Sequence, residues 1–266
     1  MKVRVLLTAA VVFLCAAGAT ANAETRKAGD SLNYEFSVVQ KTLLPPTMQA
    51  ALARLMGGFA SKPQTFTINV AIDRVDANGN AHAKIATHFA KQSGPPGMSL
   101  GSDASFEGSV LPDGQIVPTF DAGAILAASQ SASTRAAKQV STPSPEQQTN
   151  KAAYSLWEAL SFFNDVALGA GKRTLFKDGD AWRVIIADKG NETINFSNTG
   201  KQSYRGHDVV ALAVTAVQMT PQGSRRTKGT AYYDPQQHVL VGLQSETVQD
   251  ISQLQMTKTI DINLQQ

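Results

Sequence analysis

FTINVAID, residues 66–73, places a large apolar side chain at every second position. Successive side chains of a β-strand point to opposite faces of the sheet, so this stretch predicts a strand with one buried and one hydrated face. A similar alternation recurs at residues 32–38, 182–186 and 254–262. Because such half-buried strands are typical of antiparallel sheets, the chain is predicted to be mainly antiparallel β.

Tight turns are predicted between these alternating runs. Asn78-Gly79 and Asp113-Gly114 supply the residue types that adopt the positive φ angles of hairpin turns. With the turns, the pattern predicts about ten strands, each bounded to within about 2–4 residues. Residues 209–217, VVALAVTAV, are apolar at nearly every position and predict a strand covered on both faces.

Two helical segments are predicted. Residues 46–57 carry apolar side chains at helical spacing and end at a pair of glycines. The second segment, 147–168, follows a predicted N-cap at Ser144 and a proline at the first helical position. Its apolar stripe consists of Ala153, Leu156, Trp157, Leu160, Phe163 and Ala167. Residues 121–139 are rich in Ala, Ser and Gln and have only a weak apolar face.

The order of these elements is strands, then helices, then strands. No strand–helix–strand rhythm is present, which disfavours a doubly wound α/β fold. The predicted fold class is α+β, mainly antiparallel β: a curved open sheet or half-barrel of about ten strands, with a helical insertion near 121–170 as a lid. We expect residues 24–266 to form a single domain, and the alternative is two domains divided near residue 140.

Residues 1–23 have the three parts of a secretory signal peptide. Lys2 and Arg4 form a positive region, an apolar run follows, and Ala21-Asn22-Ala23 is a small-x-small cleavage site. Export to a bacterial periplasm or to the exterior is therefore predicted, with Glu24 as the first mature residue. No later window approaches 18 apolar residues, so no membrane span is predicted in the mature chain.

Charge and cysteine content exclude several classes of function. The leader holds two of the 24 basic residues, which leaves 22 against 21 acidic ones, a net charge of +1. No basic stripe with interleaved aromatics appears, so no nucleic acid is predicted as a partner. The one cysteine, Cys15, lies in the leader and follows Leu14 rather than a small residue. A mature chain without thiols has no disulfide, thiolate metal site or cysteine nucleophile.

The motifs that suggest catalysis or metal binding are weak. Gly97-Met98-Ser99-Leu100-Gly101 matches the esterase G-x-S-x-G pattern but lacks the strand–turn–helix context that exposes the serine. Residues 76–80 resemble the start of a calcium loop, yet Thr87 occupies the position of the bidentate glutamate. His82 and His88 are about 20 Å apart on one strand, which prevents shared metal coordination. We therefore predict no metal, no cofactor and no enzymatic activity.

Four short segments carry a resemblance to known proteins: residues 106–109, 113–114, 179–182 and 229–234. In outline the chain resembles exported bacterial β-rich proteins of unknown function. More distantly, it is similar to the periplasmic half-barrel carriers of lipoproteins, which close an incomplete antiparallel barrel around acyl chains beneath a helical lid. The resemblance implies a lipid or a lipoprotein as partner and transfers no individual catalytic or ligand residue.

The leading functional hypothesis is a non-catalytic exported protein that binds an apolar ligand or an acylated partner. The alternative is a structural or interaction module of the cell envelope without a cavity, and a hydrolase that uses Ser99 stands behind both. The ligand-binding residues predicted for the first hypothesis are Leu52, Leu55, Met56, Trp157, Leu160 and Phe163. The sequence leaves the ligand, the partner and the oligomeric state open.

Overall fold

The computed structural model describes residues 26–43, 63–89, 103–119, 145–173, 175–186, 192–220, 223–251 and 254–265. These residues form eleven strands and one helix. The first five strands are β1 (Ser31–Leu43), β2 (Gln64–Val75), β3 (Ala81–Phe89), β4 (Ala104–Val110) and β5 (Ile116–Pro118). Helix α1 (Pro145–Gly171) follows. The remaining strands are β6 (Ala181–Ile186), β7 (Glu192–Tyr204), β8 (His207–Thr220), β9 (Gly223–Asp234), β10 (Val239–Ile251) and β11 (Leu254–Gln265).

All eleven strands belong to one antiparallel sheet, in the order β5-β4-β3-β2-β1-β11-β10-β9-β8-β7-β6. Neighbours in the sheet are neighbours in the sequence except at the centre, where β1 pairs with β11. The two edge strands, β5 and β6, are therefore those that flank α1 in the chain. The sheet is open and curved, which confirms the predicted α+β half-barrel, with eleven strands instead of about ten.

Helix α1 lies on the concave face of the sheet and contacts strands near both edges: β4 and β5 on one side, and β6, β7, β9 and β10 on the other. It begins at Pro145, the residue predicted for the first helical position. The buried side chains of its predicted stripe are Ala153, Leu156, Leu160, Phe163 and Ala167. Trp157 departs from the stripe and is 39% exposed. No helix among the described residues is long and apolar enough to cross a membrane.

The hydrophobic core lies between α1 and the concave face of the sheet. Phe163 of the helix packs edge-on against Tyr34 of β1, with ring centroids 5.2 Å apart. Inward-facing aliphatic residues of β2, β3, β8 and β10 complete the core; examples are Ile68, Ile85, Leu212 and Leu243. The alternation in the sequence predicted this face correctly because each buried residue is two positions from the next.

Strand β8 differs in part from its prediction. Residues 209–212 are buried on both faces, as the apolar run predicts. Farther along the strand the outward residues are exposed, and Val217 is 47% and Met219 75% accessible. The prediction of double burial is therefore wrong for the second half of the run, because β-branched and small apolar residues also suit a hydrated strand face.

The two ends of the sheet have different connections. At one end, termed the turn end, four tight connections join the strands: residues 76–80, 111–115, 205–206 and 235–238. At the other, the distal end, the chain leaves the sheet at Leu43, Phe89, Ile186, Thr220 and Ile251. The connections from these residues lie outside the described ranges, as does the chain between β5 and α1.

Candidate functional site: the concave face and its two ends

Arg26 links two distant turns at the turn end. Its Nη1 donates a hydrogen bond to the carbonyl oxygen of Leu111 at 3.0 Å, and its Nη2 donates to that of His238 at 2.8 Å. Leu111 follows β4, and His238 precedes β10. One planar guanidinium therefore holds together parts of the chain that are separated by more than a hundred residues.

This contact shows how strongly the sheet curves. Strands β4 and β10 lie five positions apart in the sheet, so in a flat sheet they would be about 24 Å apart. The turns that adjoin them are instead in direct contact. A Cβ atom added to Gly114 would lie only 2.6 Å from the carbonyl oxygen of His238. The turn end is thus almost closed into a barrel.

The C-terminal part of α1 packs into this closed end. A Cβ atom at Gly171 would lie 2.4 Å from Cβ of Asp113, and one at Gly169 would lie 2.2 Å from the ring of Phe196. Only glycine permits such close packing at these positions. Trp182 of β6 stacks on Phe196 at 5.1 Å, and its indole Nε1 donates to the Gly169 carbonyl at 3.0 Å.

A second contact anchors the helix to an edge strand. The Oδ1 atom of Asn164 accepts a hydrogen bond from the Ile116 amide at 2.8 Å, and its Nδ2 donates to the Ile116 carbonyl at 2.7 Å. The amide side chain therefore pairs with β5 as another strand would. Because an unpaired edge invites association with other chains, Asn164 also protects this edge of the sheet.

Burial dominates the electrostatics of the turn end. It lowers the pKa of the Arg26 guanidinium and raises the pKa values of the Tyr34 and Tyr233 hydroxyls. It also lowers the pKa of His238, and the positive charge of Arg26 acts in the same direction. The neutral form of the His238 imidazole is therefore favoured. Its Nδ1 atom lies 3.1 Å from the Tyr233 hydroxyl oxygen. No local sequence pattern indicates this cluster, since its members are far apart in the chain.

The distal half of the concave face carries a row of three phenylalanines. Phe36, Phe66 and Phe89 stand opposite one another on β1, β2 and β3. The rings of Phe36 and Phe66 stack at 4.8 Å, and those of Phe66 and Phe89 at 5.1 Å. We call these three residues the phenylalanine row. Phe36 and Phe66 are buried, whereas Phe89, at the distal end of its strand, is only partly buried.

On β8 to β11 the concave face changes from apolar to polar toward the distal end. Leu212, Ala231, Leu243 and Ile262 stand opposite one another and are all fully buried. Four residues farther toward the distal end, the next inward row that we compare has three polar side chains out of four. This row consists of Ala216, Thr227, Thr247 and Lys258. Two residues farther toward the distal end, the inward row consists of Gln218, Arg225, Gln249 and Met256.

The predicted ligand-binding residues fall in two groups. Leu52, Leu55 and Met56 lie outside the described residues, as does Ser99. Of the three on α1, Leu160 and Phe163 are 1% and 0% exposed and form part of the core between helix and sheet. Trp157, one residue from Leu156, lies off the face that packs on the sheet. Their role in binding a ligand stays a prediction.

Two surface cavities lie on the convex, outer face. One of about 400 Å³ is lined mainly by polar side chains of β2, β3 and β4, among them Arg74, His82 and Glu107. The other, of about 260 Å³, lies beside Glu35 and His88. Within the described part of the chain, no cluster of three or more His, Cys, Asp or Glu side chains is arranged to hold a metal ion.

No protein-family model and no curated protein matches the chain. Among solved structures, it is similar to a Bacteroides fragilis protein described as a "putative exported protein with YmcC-like fold". The two are 12% identical, the match covers 91% of this chain and 97% of the other, and the TM-score is 0.32.

Proposed function

We propose that the protein is an exported, non-catalytic binding protein that holds an apolar ligand at the distal end of its concave face. The phenylalanine row is the observation that carries this proposal. Its three rings form one continuous stack that ends at the partly buried Phe89, and the segments that join β1 to β2 and β3 to β4 start from the same end of the sheet.

An alkyl chain suits this surface chemically. Each buried methylene group contributes about 0.8 kcal/mol, so a chain laid along three rings would gain several kcal/mol without any directional contact. Beside Phe36, the next inward residue of β1 is Val38, which is only partly buried and extends the apolar surface toward the distal end. The predicted ligand residues Leu52, Leu55 and Met56 belong to the segment between β1 and β2, and we propose that they contribute to binding of the same ligand.

The second candidate function is an interaction module of the envelope that has no ligand cavity. The close packing of Leu160 and Phe163 against the sheet favours it, because these two residues are buried between the helix and the sheet. The two candidates differ in one measurable property, which is saturable binding of an apolar probe.

A titration with dansyl-labelled undecanoic acid tests the proposal. Energy transfer from Trp157 and Trp182 to the dansyl group should rise to saturation at one probe per chain. Phe66→Leu should weaken binding, whereas Phe196→Leu, which alters a stacked ring at the helix terminus, should leave the affinity unchanged. Absence of saturable binding by the folded protein would favour the interaction module.

Export and the lack of catalysis need separate tests. N-terminal sequencing of secreted protein should start at Glu24, and a diacylglycerol adduct on Cys15 would show a lipid anchor instead.

Purified protein should not release acid from simple acyl esters. Ester turnover that is lost in Ser99→Ala would contradict the non-catalytic assignment.

A further inference from the structure

We infer that the ligand is an amphiphile with an anionic headgroup, and that Arg225 and Lys258 bind this headgroup on the concave face. The inference rests on the proposed function and adds the chemical class of the ligand. It concerns the polar patch, which we define as Arg225, Thr227, Ser245, Thr247, Gln249 and Lys258 on strands β9, β10 and β11.

The polar patch faces inward, on the same side as the core. Leu243 of β10 is buried in the core, and Ser245 and Thr247 follow it at two-residue steps. Thr227 and Lys258 stand opposite Thr247 on the neighbouring strands and therefore point to the same face. Arg226 and Lys228, which alternate with these positions on β9, are exposed on the outer face.

Burial distinguishes the patch from an ordinary hydrated rim. Ser245, Thr227 and Thr247 are 5%, 4% and 7% exposed. The hydroxyls of Thr227 and Thr247 lie 2.9 Å apart and bond to each other. The Ser245 Oγ atom is buried and has no hydrogen-bond partner among the residues that the structure describes. A buried polar atom without a partner is costly, so Ser245 supports a ligand group beside this hydroxyl.

Two cations flank these hydroxyls. Arg225 stands opposite Gln249, and Lys258 stands opposite Thr247, so the cations lie on either side of β10. Two strand spacings and a shift of two residues place their Cα atoms about 12 Å apart. The long side chains of Arg and Lys can therefore meet at one carboxylate or phosphate group between them. Both side chains are partly buried, which strengthens a charge-assisted hydrogen bond relative to water.

The surroundings of the patch include one carboxylate. Glu192 of β7 lies on the inward face two strands from Arg225 and is 4% exposed. Glu192 and Lys258 both have interaction partners within the chain. Glu192 lies on the β7 side of Arg225, away from Lys258, so the space between the two cations is on the other side of Arg225 from this carboxylate.

The patch and the phenylalanine row are positioned for one amphiphile. Phe36 stands opposite Ile262, and Lys258 is four residues farther along β11. The distance along the strand is therefore about 13 Å, which a medium-length acyl chain spans. The headgroup would lie nearer the distal end and the chain would run across β11 and β1 onto the three rings.

Matched probes test the inference. Dansyl-labelled undecanoic acid and its primary amide share the chain and the fluorophore and differ in the charge of the headgroup. In the doubly substituted Arg225→Gln/Lys258→Gln protein, affinity for the acid should fall about tenfold or more, as expected when hydrogen bonds to a charged group are lost. Affinity for the amide should change less than about twofold. The control, Arg226→Gln/Lys228→Gln, makes the same charge change on the outer face and should bind both probes as the unmodified protein does.

Ser245→Ala provides a second measurement that does not alter charge. It should weaken binding of the acid, and the protein should remain as stable as before because the hydroxyl has no partner among the described residues. Equal binding of acid and amide by all variants would overturn the inference while leaving the proposed function intact. If neither probe binds to the unmodified protein, the proposed function itself fails.

Discussion

The turn end and the distal end of the half-barrel are built from the same strands but are stabilised differently. At the turn end, Arg26, Asn164 and the two helix glycines fix turns, edge strand and helix through specific polar and close-packed contacts. At the distal end, the concave face presents the phenylalanine row on one side and the polar patch on the other. The first arrangement closes the barrel, and the second provides a surface with both apolar and polar chemistry.

This difference indicates a division of roles along the strands. Residues that act in closure are held by partners within the chain, so their removal should affect stability. Two residues of the proposed site differ from these: Phe89 is incompletely buried and Ser245 has no partner among the described residues, so their removal should affect binding more than stability. The following predictions test this division from the largest expected effect to the smallest.

Arg26→Met should cause the largest loss of stability. The substitution removes two hydrogen bonds from a charged donor and separates the turns at Leu111 and His238, which we expect to cost about 3–5 kcal/mol. Urea denaturation followed by circular dichroism measures the change. Lys27→Met is the control, because Lys27 is exposed and should alter stability by less than about 0.5 kcal/mol. Similar values for both variants would refute closure by Arg26.

Gly169→Ala should be the next most harmful change. The added Cβ atom would overlap the Phe196 ring at 2.2 Å and force the helix away from β7, at a cost of about 1–3 kcal/mol. The doubly substituted Gly169→Ala/Phe196→Leu protein should be more stable than the sum of the single changes predicts, since leucine lacks the overlapping ring atoms. Strict additivity in this double-mutant cycle would show that the contact is not the cause.

These contacts also show what the sequence could and could not predict. Strands and helix were predictable because alternation, turn residues and the Ser144-Pro145 start are local signals. The Arg26 contacts join residues 85 and 212 positions apart, which no local pattern reveals. Trp157 was assigned to the buried stripe by its apolar character and spacing, but it is 39% exposed, and its neighbour Leu156 occupies the buried face.

The polar patch could not be predicted for a different reason. Its residues come from three strands, and each strand taken alone shows an ordinary alternation with polar side chains on both faces near its end. Only the register, in which Thr247 stands between Thr227 and Lys258, brings them together on the concave face. Burial of Ser245 without a partner is likewise a property of the assembled sheet.

Phe66→Leu and Phe196→Leu should separate binding from stability. Each change removes a buried, stacked ring and should cost about 1–2 kcal/mol of stability. Only Phe66→Leu should also weaken binding of the dansyl-labelled acid, because Phe66 lies at the centre of the phenylalanine row. Thermal denaturation and the fluorescence titration give the two values. An equal loss of affinity in both variants would locate the ligand elsewhere.

Thr247→Val and Ser245→Ala should differ although both remove one buried hydroxyl from β10. Thr247→Val leaves the Thr227 hydroxyl without its partner and should destabilise the protein by about 1 kcal/mol or more. Ser245→Ala removes a hydroxyl that has no partner in the described part of the chain and should be neutral or slightly stabilising. A clear destabilisation by Ser245→Ala would mean that its hydroxyl is already satisfied in the free protein.

His238→Asn should produce the smallest effect, which is a change in pH dependence. Burial, with Arg26 as a second cause, lowers the pKa of His238 below its ordinary value of 6.5, and the nearby carboxylates of Asp234 and Asp113 oppose this less strongly. The unfolded chain therefore takes up a proton at a higher pH than the folded chain does. Stability that is fully present above about pH 6.5 should be lost as the pH falls through the lower pKa of the folded state.

Asparagine suits the position because His238 has a φ of 52°, a region that asparagine tolerates well. The variant has no imidazole, so its stability should fall less steeply between pH 7 and about pH 5 than that of the unmodified protein. Tyr233→Phe is the matched control, since it removes the hydroxyl 3.1 Å from Nδ1 and keeps the buried imidazole, and so should retain the steeper dependence. If the stability of His238→Asn and that of the unmodified protein changed with pH in the same way, His238 would not be the cause of the pH dependence of the turn end.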